Sequence, residues 1–285
     1  MNLQVQKVTY YIEEHLNDEL DVVMLAKIAG YSHFHFCRVF KVHIGESVMS
    51  YTNRLRLERA SAEVYLGKKN IIDIALDAGY KTPTGFLKAF RKRFDTTPTE
   101  YKSSSEQLLR KYKEITMNAP KIVTRDEVNV VFTRELGDYV KSSNIAWERL
   151  SGMMNSLHEK FAKNPPEYTM NLEEGKAEAL GICHDDPQVT SEENIRYDAA
   201  LAWGNKETEV LAKYDFETKT ISGGRYAKVE YLGASNAEDS WYGLYAWVEK
   251  NGYALRNEPS FEKYLNGDIN TDVEKMLIEV YVPIV

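Results

Sequence analysis

The stretch AGYSHFHFCRVFK, residues 29–41, returns as AGYKTPTGFLKAFRK, residues 78–92. Ala26, Ala29, Gly30 and Tyr31 correspond to Ala75, Ala78, Gly79 and Tyr80, 49 residues on; after one extra residue, Phe36, Arg38, Phe40 and Lys41 correspond to Phe86, Lys88, Phe90 and Arg91, 50 residues on. Each copy reads as a short helix, a glycine turn, a capping residue and a second helix, which is the helix-turn-helix pattern. In the first copy, about 21–43, Asp21 and Ser32 are the expected caps; in the second, about 70–94, Thr82 caps and Pro83 takes the first helical position.

At about 100° per residue the second helix of each copy has two faces. Phe36, Val39, Phe40 and His43 form an expected core stripe, opposed by Phe34, Cys37, Arg38 and Lys41; Phe86, Ala89 and Phe90 are opposed by Thr84, Leu87, Lys88 and Arg91. Arg38 and Lys88 suit guanine acceptors and Phe34 suits a thymine methyl. Lys41 and Arg91, nearer the helix ends, suit phosphates. Around these copies, residues 2–17 read as an amphipathic helix on Val5, Val8, Ile12 and Leu16, and a long helix from about Glu46 to Leu66 joins the two units. That helix spans roughly 30 Å at 1.5 Å per residue. Major grooves recur on one side of B-DNA about every 34 Å, so one chain can address two of them.

Charge is divided along the chain. The whole carries a net −7, but residues 1–113 hold 18 Lys+Arg against 13 Asp+Glu, and the rest hold 18 against 30. Polyanion contact is therefore expected only at the front. No apolar run is long enough to span a membrane, and the start MNLQVQKVTYYIEEHL has no basic n-region, so a cytoplasmic location is expected. Cys37 and Cys183 are the only cysteines and are read as free thiols. His33 and Cys37, four apart, are too few ligands for zinc; no metal or other cofactor is expected.

The polar segment 102–114 reads as the linker. Beyond it the texture changes to strand-length runs, KIVTRDEVNVVFTREL, ALGIC, YDAALAW, GGRYAKVEYL and MLIEVYVPIV, interrupted by the helical patterns SNIAWERLSGMMNSLHEKF and AEDSWYGLYAWVEKNG. The order is strand, helix, strand, strand, twice, with Trp147 and Trp241 at comparable points of the two helices. All four tryptophans, Trp147, Trp203, Trp241 and Trp247, lie here, with Tyr139, Tyr226, Tyr231, Tyr245, Tyr264 and Tyr281. Aromatic faces with a partly buried carboxylate make a cation site. HDD at 184–186, followed by Pro187, reads as a turn rather than a metal site.

Residues 5–102 resemble the AraC/XylS-type DNA-binding domain, with its signature in IALDAGYKTPTGFLKAFRKRFDTTPTEYK. The resemblance implies an all-α domain with two helix-turn-helix units and puts base-reading positions at Phe34, Cys37 and Arg38 and at Thr84, Gly85 and Lys88; Cys37 and Gly85 depart from the polar residues often found there. Residues 120–285 resemble the GyrI-like effector-binding domain through GICHDDPQVTSEENIRYDAAL, ISGGRYAKVEYLG, PSFEKYL and IEVYVPIV. That implies an α+β fold of tandem strand-helix-strand-strand modules with a pocket at their seam for lipophilic, often cationic, molecules. Glu262 matches the family's acidic position, Glu279 is a second choice, and Tyr139, Trp147, Trp241 and Tyr281 are expected to line the pocket.

The expected organisation is a DNA-binding domain over 1–104, a linker over 105–117 and an effector-binding domain over 118–285. The expected function is a transcription regulator that binds double-stranded DNA as a monomer or homodimer and answers to a small molecule, by domain reorientation or by showing an activator surface to RNA polymerase. Two alternatives remain: some GyrI-like relatives resemble small-molecule hydrolases, and an orphan regulator would have a collapsed pocket.

Overall fold

The computed structural model describes the chain except residues 1, 113–116, 162–176, 203–207, 210, 215 and 267–270, so Trp203 lies outside the described residues. Two compact units result, Met1–Leu108 and Leu109–Val285.

The first unit is helical: α1 (Leu3–Glu14), α2 (Val22–Ile28), α3 (His33–Ile44), α4 (Val48–Leu66), α5 (Ile71–Asp77), α6 (Pro83–Phe94) and α7 (Pro98–Tyr112), whose last turn belongs to the second unit. Asp21 caps α2 by accepting from the Val23 and Met24 amides, and Asn70 caps α5 at its equivalent place. Gly30 and Gly79 turn the chain at φ +69° and +80°, a left-handed conformation that a side chain would strain. The central helix α4 serves two cores. Tyr51 in its first half meets Phe40 edge-on, while Leu57, Ala60 and Val64 pack with Ile74, Ala75, Phe86 and Phe90. The segment expected as linker is helical through Tyr112, because Leu, Arg, Lys, Glu and Gln there are good helix formers.

Among the described residues, the second unit is one eight-stranded antiparallel sheet in the order β1-β6-β8-β7-β3-β4-β2-β5, with two long helices. Its elements are β1 (Lys121–Arg125), β2 (Val128–Leu136), α8 (Tyr139–Phe161), β3 (Glu178–Cys183), β4 (Arg196–Ala202), β5 (Glu217–Ile221), β6 (Gly224–Leu232), α9 (Ala237–Lys250), β7 (Ser260–Tyr264) and β8 (Leu277–Pro283). The run 121–136, counted as one strand, is two, broken at Asp126 and Glu127. β1 and β2 thus stand six places apart in the sheet yet are joined by two residues, and β5 and β6 are joined by only Ser222 and Gly223. Six strand spacings are roughly 29 Å in a flat sheet, several times the reach of two residues. The sheet therefore curls until its edges approach. The expected duplication is present as β2-α8-β3-β4 and β6-α9-β7-β8, which meet at the β3–β7 ladder.

Both helices lie on one face. Alternation along the strands puts Val131, Tyr197 and Ala199 against α8, and Ala227, Val229, Tyr231, Ile278 and Val280 against α9.

Candidate nucleic-acid interface and candidate effector cage

Phe36, Phe40 and Ile44, at i, i+4 and i+8, are the buried stripe of α3. This corrects the expected stripe: Ile44 takes the core position given to His43, which is exposed, and Val39 is half-buried. Phe34 is 77% exposed, Arg38 and Lys41 are exposed, and Cys37 is half-buried beside Phe36. On α6, Phe86 and Phe90 are buried while Thr84, Gly85, Lys88 and Arg91 are exposed. The Gly85 amide donates to Thr82 Oγ1 at 3.2 Å, so that amide is already used by the cap. Ser32 stands at the N-cap of α3 but makes no capping hydrogen bond. Each candidate reading helix thus shows one solvent-facing basic stripe held by a row of buried rings. Among the described residues no group of three or more His, Cys, Asp or Glu side chains could hold a metal.

In the second unit, β7 places Glu262 on the helix-covered face, directly across the ladder from Gly181. Glu262 Oε1 accepts from Tyr231 Oη at 2.7 Å and from Trp241 Nε1 of α9 at 2.9 Å; Oε2 accepts from Tyr264 Oη at 3.0 Å. Tyr264 and Tyr197 share a hydroxyl contact at 3.0 Å, and Tyr197 Oη accepts from Trp147 Nε1 of α8 at 3.0 Å. A carboxylate can only accept, so Tyr264 gives its one hydroxyl proton to Glu262 and must accept from Tyr197. Protons point from Trp147 to Tyr197, then Tyr264, then the carboxylate. Burial pushes the Tyr197, Tyr231 and Tyr264 phenols well up, with the Glu262 charge adding, so all three stay protonated donors. Gly181 gives this arrangement room: a Cβ there would overlap the Tyr197 hydroxyl and lie 2.9 Å from that of Tyr264. No Lys, Arg or His pairs with Glu262 among the described residues.

Of the expected pocket residues, the structure brings Glu262, Trp147 and Trp241 together. It separates Glu279 and Tyr281 from them. Glu279 pairs in register with Lys263 and Tyr281 with Phe261, so both point to the face opposite Glu262. There Glu279 binds Lys228 and accepts from Tyr281 Oη at 2.6 Å. Tyr139 lies edge-on to Tyr197 with its hydroxyl turned away, donating to the Asp185 carbonyl at 2.6 Å and accepting from its amide at 3.0 Å. Tyr197 and Gly181 were missed. Neither carries a local signal, since their role depends on cross-strand neighbours far away in sequence.

HDD follows a strand and leads into a turn, as expected, with Asp186 exposed, while His184 and Asp185 are held by side-chain partners. His184 Nε2 lies 2.6 Å from Asp198 Oδ2, Asp185 forms a two-pronged pair with Arg196, and Asp186 receives Tyr242 Oη at 3.3 Å.

The described chain thus pairs a double helix-turn-helix unit with an α+β domain that holds an aromatic-lined carboxylate. The profile of the GyrI-like small molecule binding domain matches residues 118–285, and a helix-turn-helix domain profile matches 25–104. The chain belongs to the GyrI-like family and carries an AraC-type helix-turn-helix domain. Regulatory protein SoxS of Escherichia coli (strain K12) is 33% identical over 98 residues, covering 34% of this chain and 92% of that protein. Right origin-binding protein of the same organism is 25% identical over 237 residues, covering 80% of this chain and 78% of that protein. A solved hydrolase from Listeria innocua is 13% identical at a TM-score of 0.43, covering 65% of this chain and 98% of that one, a likeness too slight to carry a functional argument. AraC-type helix-turn-helix domains bind DNA and GyrI-like domains bind small molecules. No described helix is long and apolar enough to cross a membrane.

Proposed function

We propose that this chain is a sequence-specific DNA-binding regulator of the cytoplasm, controlled by a lipophilic cation that docks on Glu262. The observation that carries the effector half is the partnership of that carboxylate: three neutral donors, aromatic rings, and no cation among the described residues. A charge in such surroundings gains most from a poorly hydrated positive partner, to which the ring faces also contribute. On the DNA side, Arg38 and Lys88 read bases, Phe34 packs on a thymine methyl, Lys41 and Arg91 hold phosphates, and Cys37, Thr84 and Gly85 stand beside the base edges. The two reading helices occupy adjacent major grooves. The domain over 118–285 acts as a binding module, not an enzyme, and the output passes to RNA polymerase.

Calorimetric titration with tetraphenylphosphonium and with neutral triphenylphosphine oxide tests the cage. Glu262→Gln should weaken the cation by roughly tenfold or more and the neutral compound by less than about twofold. Equal losses would place the cation elsewhere, and slow consumption of a probe would restore the hydrolase alternative.

A further inference from the structure

We propose that Glu58, with Arg54 and Arg93, is a positioning centre that fixes the separation of the two DNA-reading helices, so that the regulator recognises the spacing of two half-sites as well as their sequences. The inference rests on the reading that α3 and α6 enter adjacent grooves.

The centre is one connected row of charges. Arg54 Nε binds Glu46 Oε1 at 2.8 Å, Arg54 Nη1 binds Glu58 Oε2 at 3.2 Å, and Arg93 Nη2 binds Glu58 Oε1 at 2.8 Å. Arg54 and Glu58 lie one turn apart on α4 and are each only 9% exposed. Glu46 follows Gly45, the residue that closes α3, and Arg93 is in the last turn of α6. The row therefore runs from the end of one reading helix, across the shared helix, to the end of the other.

Buried ion pairs add little net stability against apolar replacements, because desolvation offsets their attraction. What they add is direction. Phe and Leu contacts between helices tolerate small slides and rotations, whereas a guanidinium held on two carboxylates does not. Arg93 is turned to Glu58 and only 23% exposed, unlike the exposed Lys88 and Arg91 of the same helix. Two linked modules gain affinity from each other only if their geometry lets both engage at once. A rigid row makes that gain depend sharply on the distance between half-sites.

The test uses the full chain and a duplex that the wild-type protein selects from a random-sequence library. Variants of the duplex carry one inserted base pair between the protected grooves, or one scrambled half-site. Wild type should lose roughly tenfold on the insertion. Arg93→Ala should bind the unaltered duplex more weakly, with the insertion penalty reduced to about twofold and with unchanged half-site affinity and salt dependence. An undiminished insertion penalty would overturn the proposal. So would equal losses on full and half-sites with a shallower salt dependence, which would make Arg93 a phosphate contact. Glu46→Gln releases the row from its other end and should show the same relaxed spacing, so a misfolded Arg93→Ala leaves the question decidable. If wild type itself shows no penalty, the two-groove reading fails and this inference with it; if wild type and both variants show the same penalty, the positioning centre alone fails.

Discussion

Asp198 is fully buried, and burial alone would push its carboxyl up; Arg134, Lys219 and His184 around it hold it well below the usual carboxylate range. His184 is driven the other way. Burial lowers it, Asp198 pulls it back up, the positive Arg134 and Lys219 lower it again, and together they leave it at about 4. Between its ordinary 6.5 and about 4 the unfolded chain takes up a proton that the folded chain refuses, so stability falls as pH drops through that window. Asp198 adds its own loss at lower pH, beginning near its ordinary 3.8, where the unfolded carboxyl takes up a proton that the folded one refuses. Scanning calorimetry against pH should show the melting temperature of the wild type declining from about pH 6.5 to 4. His184→Gln should flatten that decline while leaving the steeper fall below it; an unchanged slope would mean that other groups set it. At this scale the sequence was only partly readable. Glu262 stood out by its motif, whereas Tyr197, one of 19 tyrosines, had nothing local to mark it.

The two candidate reading helices differ at their beginnings. Thr82 Oγ1 accepts the Gly85 amide and Pro83 follows at the first helical position, whereas Ser32 has the capping place without the bond. Thr82→Ala should therefore cost about 1 kcal/mol in urea unfolding and Ser32→Ala less than about half of that. Equal costs would show that Ser32 closes its cap in solution. Helices of the first unit were legible because caps, glycine turns and the 3.6-residue period are all local. Two features were not. The helical form of the expected linker as far as Tyr112 was hidden by its polar composition, although its Leu, Arg, Lys, Glu and Gln favour helix. The run 121–136 broke into two strands because the sheet must curl, a demand that comes from strands a hundred residues away.

The whole chain is acidic, yet its excess of Lys and Arg is confined to the front, and DNA affinity should follow those cations rather than the net −7. Arg91→Ala should weaken binding to all sequences alike and lower the salt slope by about one. Arg38→Ala should cost about 1–3 kcal/mol on the selected site and far less on random DNA. Titrating each variant across salt concentrations separates the two roles, and a uniform loss for Arg38→Ala would make it another phosphate contact. The internal repeats were both visible as patterns, but the second concealed a difference that only register reveals. Two equivalent modules meet at β3 and β7, and where one offers Glu262 the other offers Gly181. On the helix-covered face of that ladder, a scaffold built by doubling has kept a single charge. It has a polarity that its architecture lacks, so a ligand docked on Glu262 by one cationic end, as proposed, would have only one way round to lie.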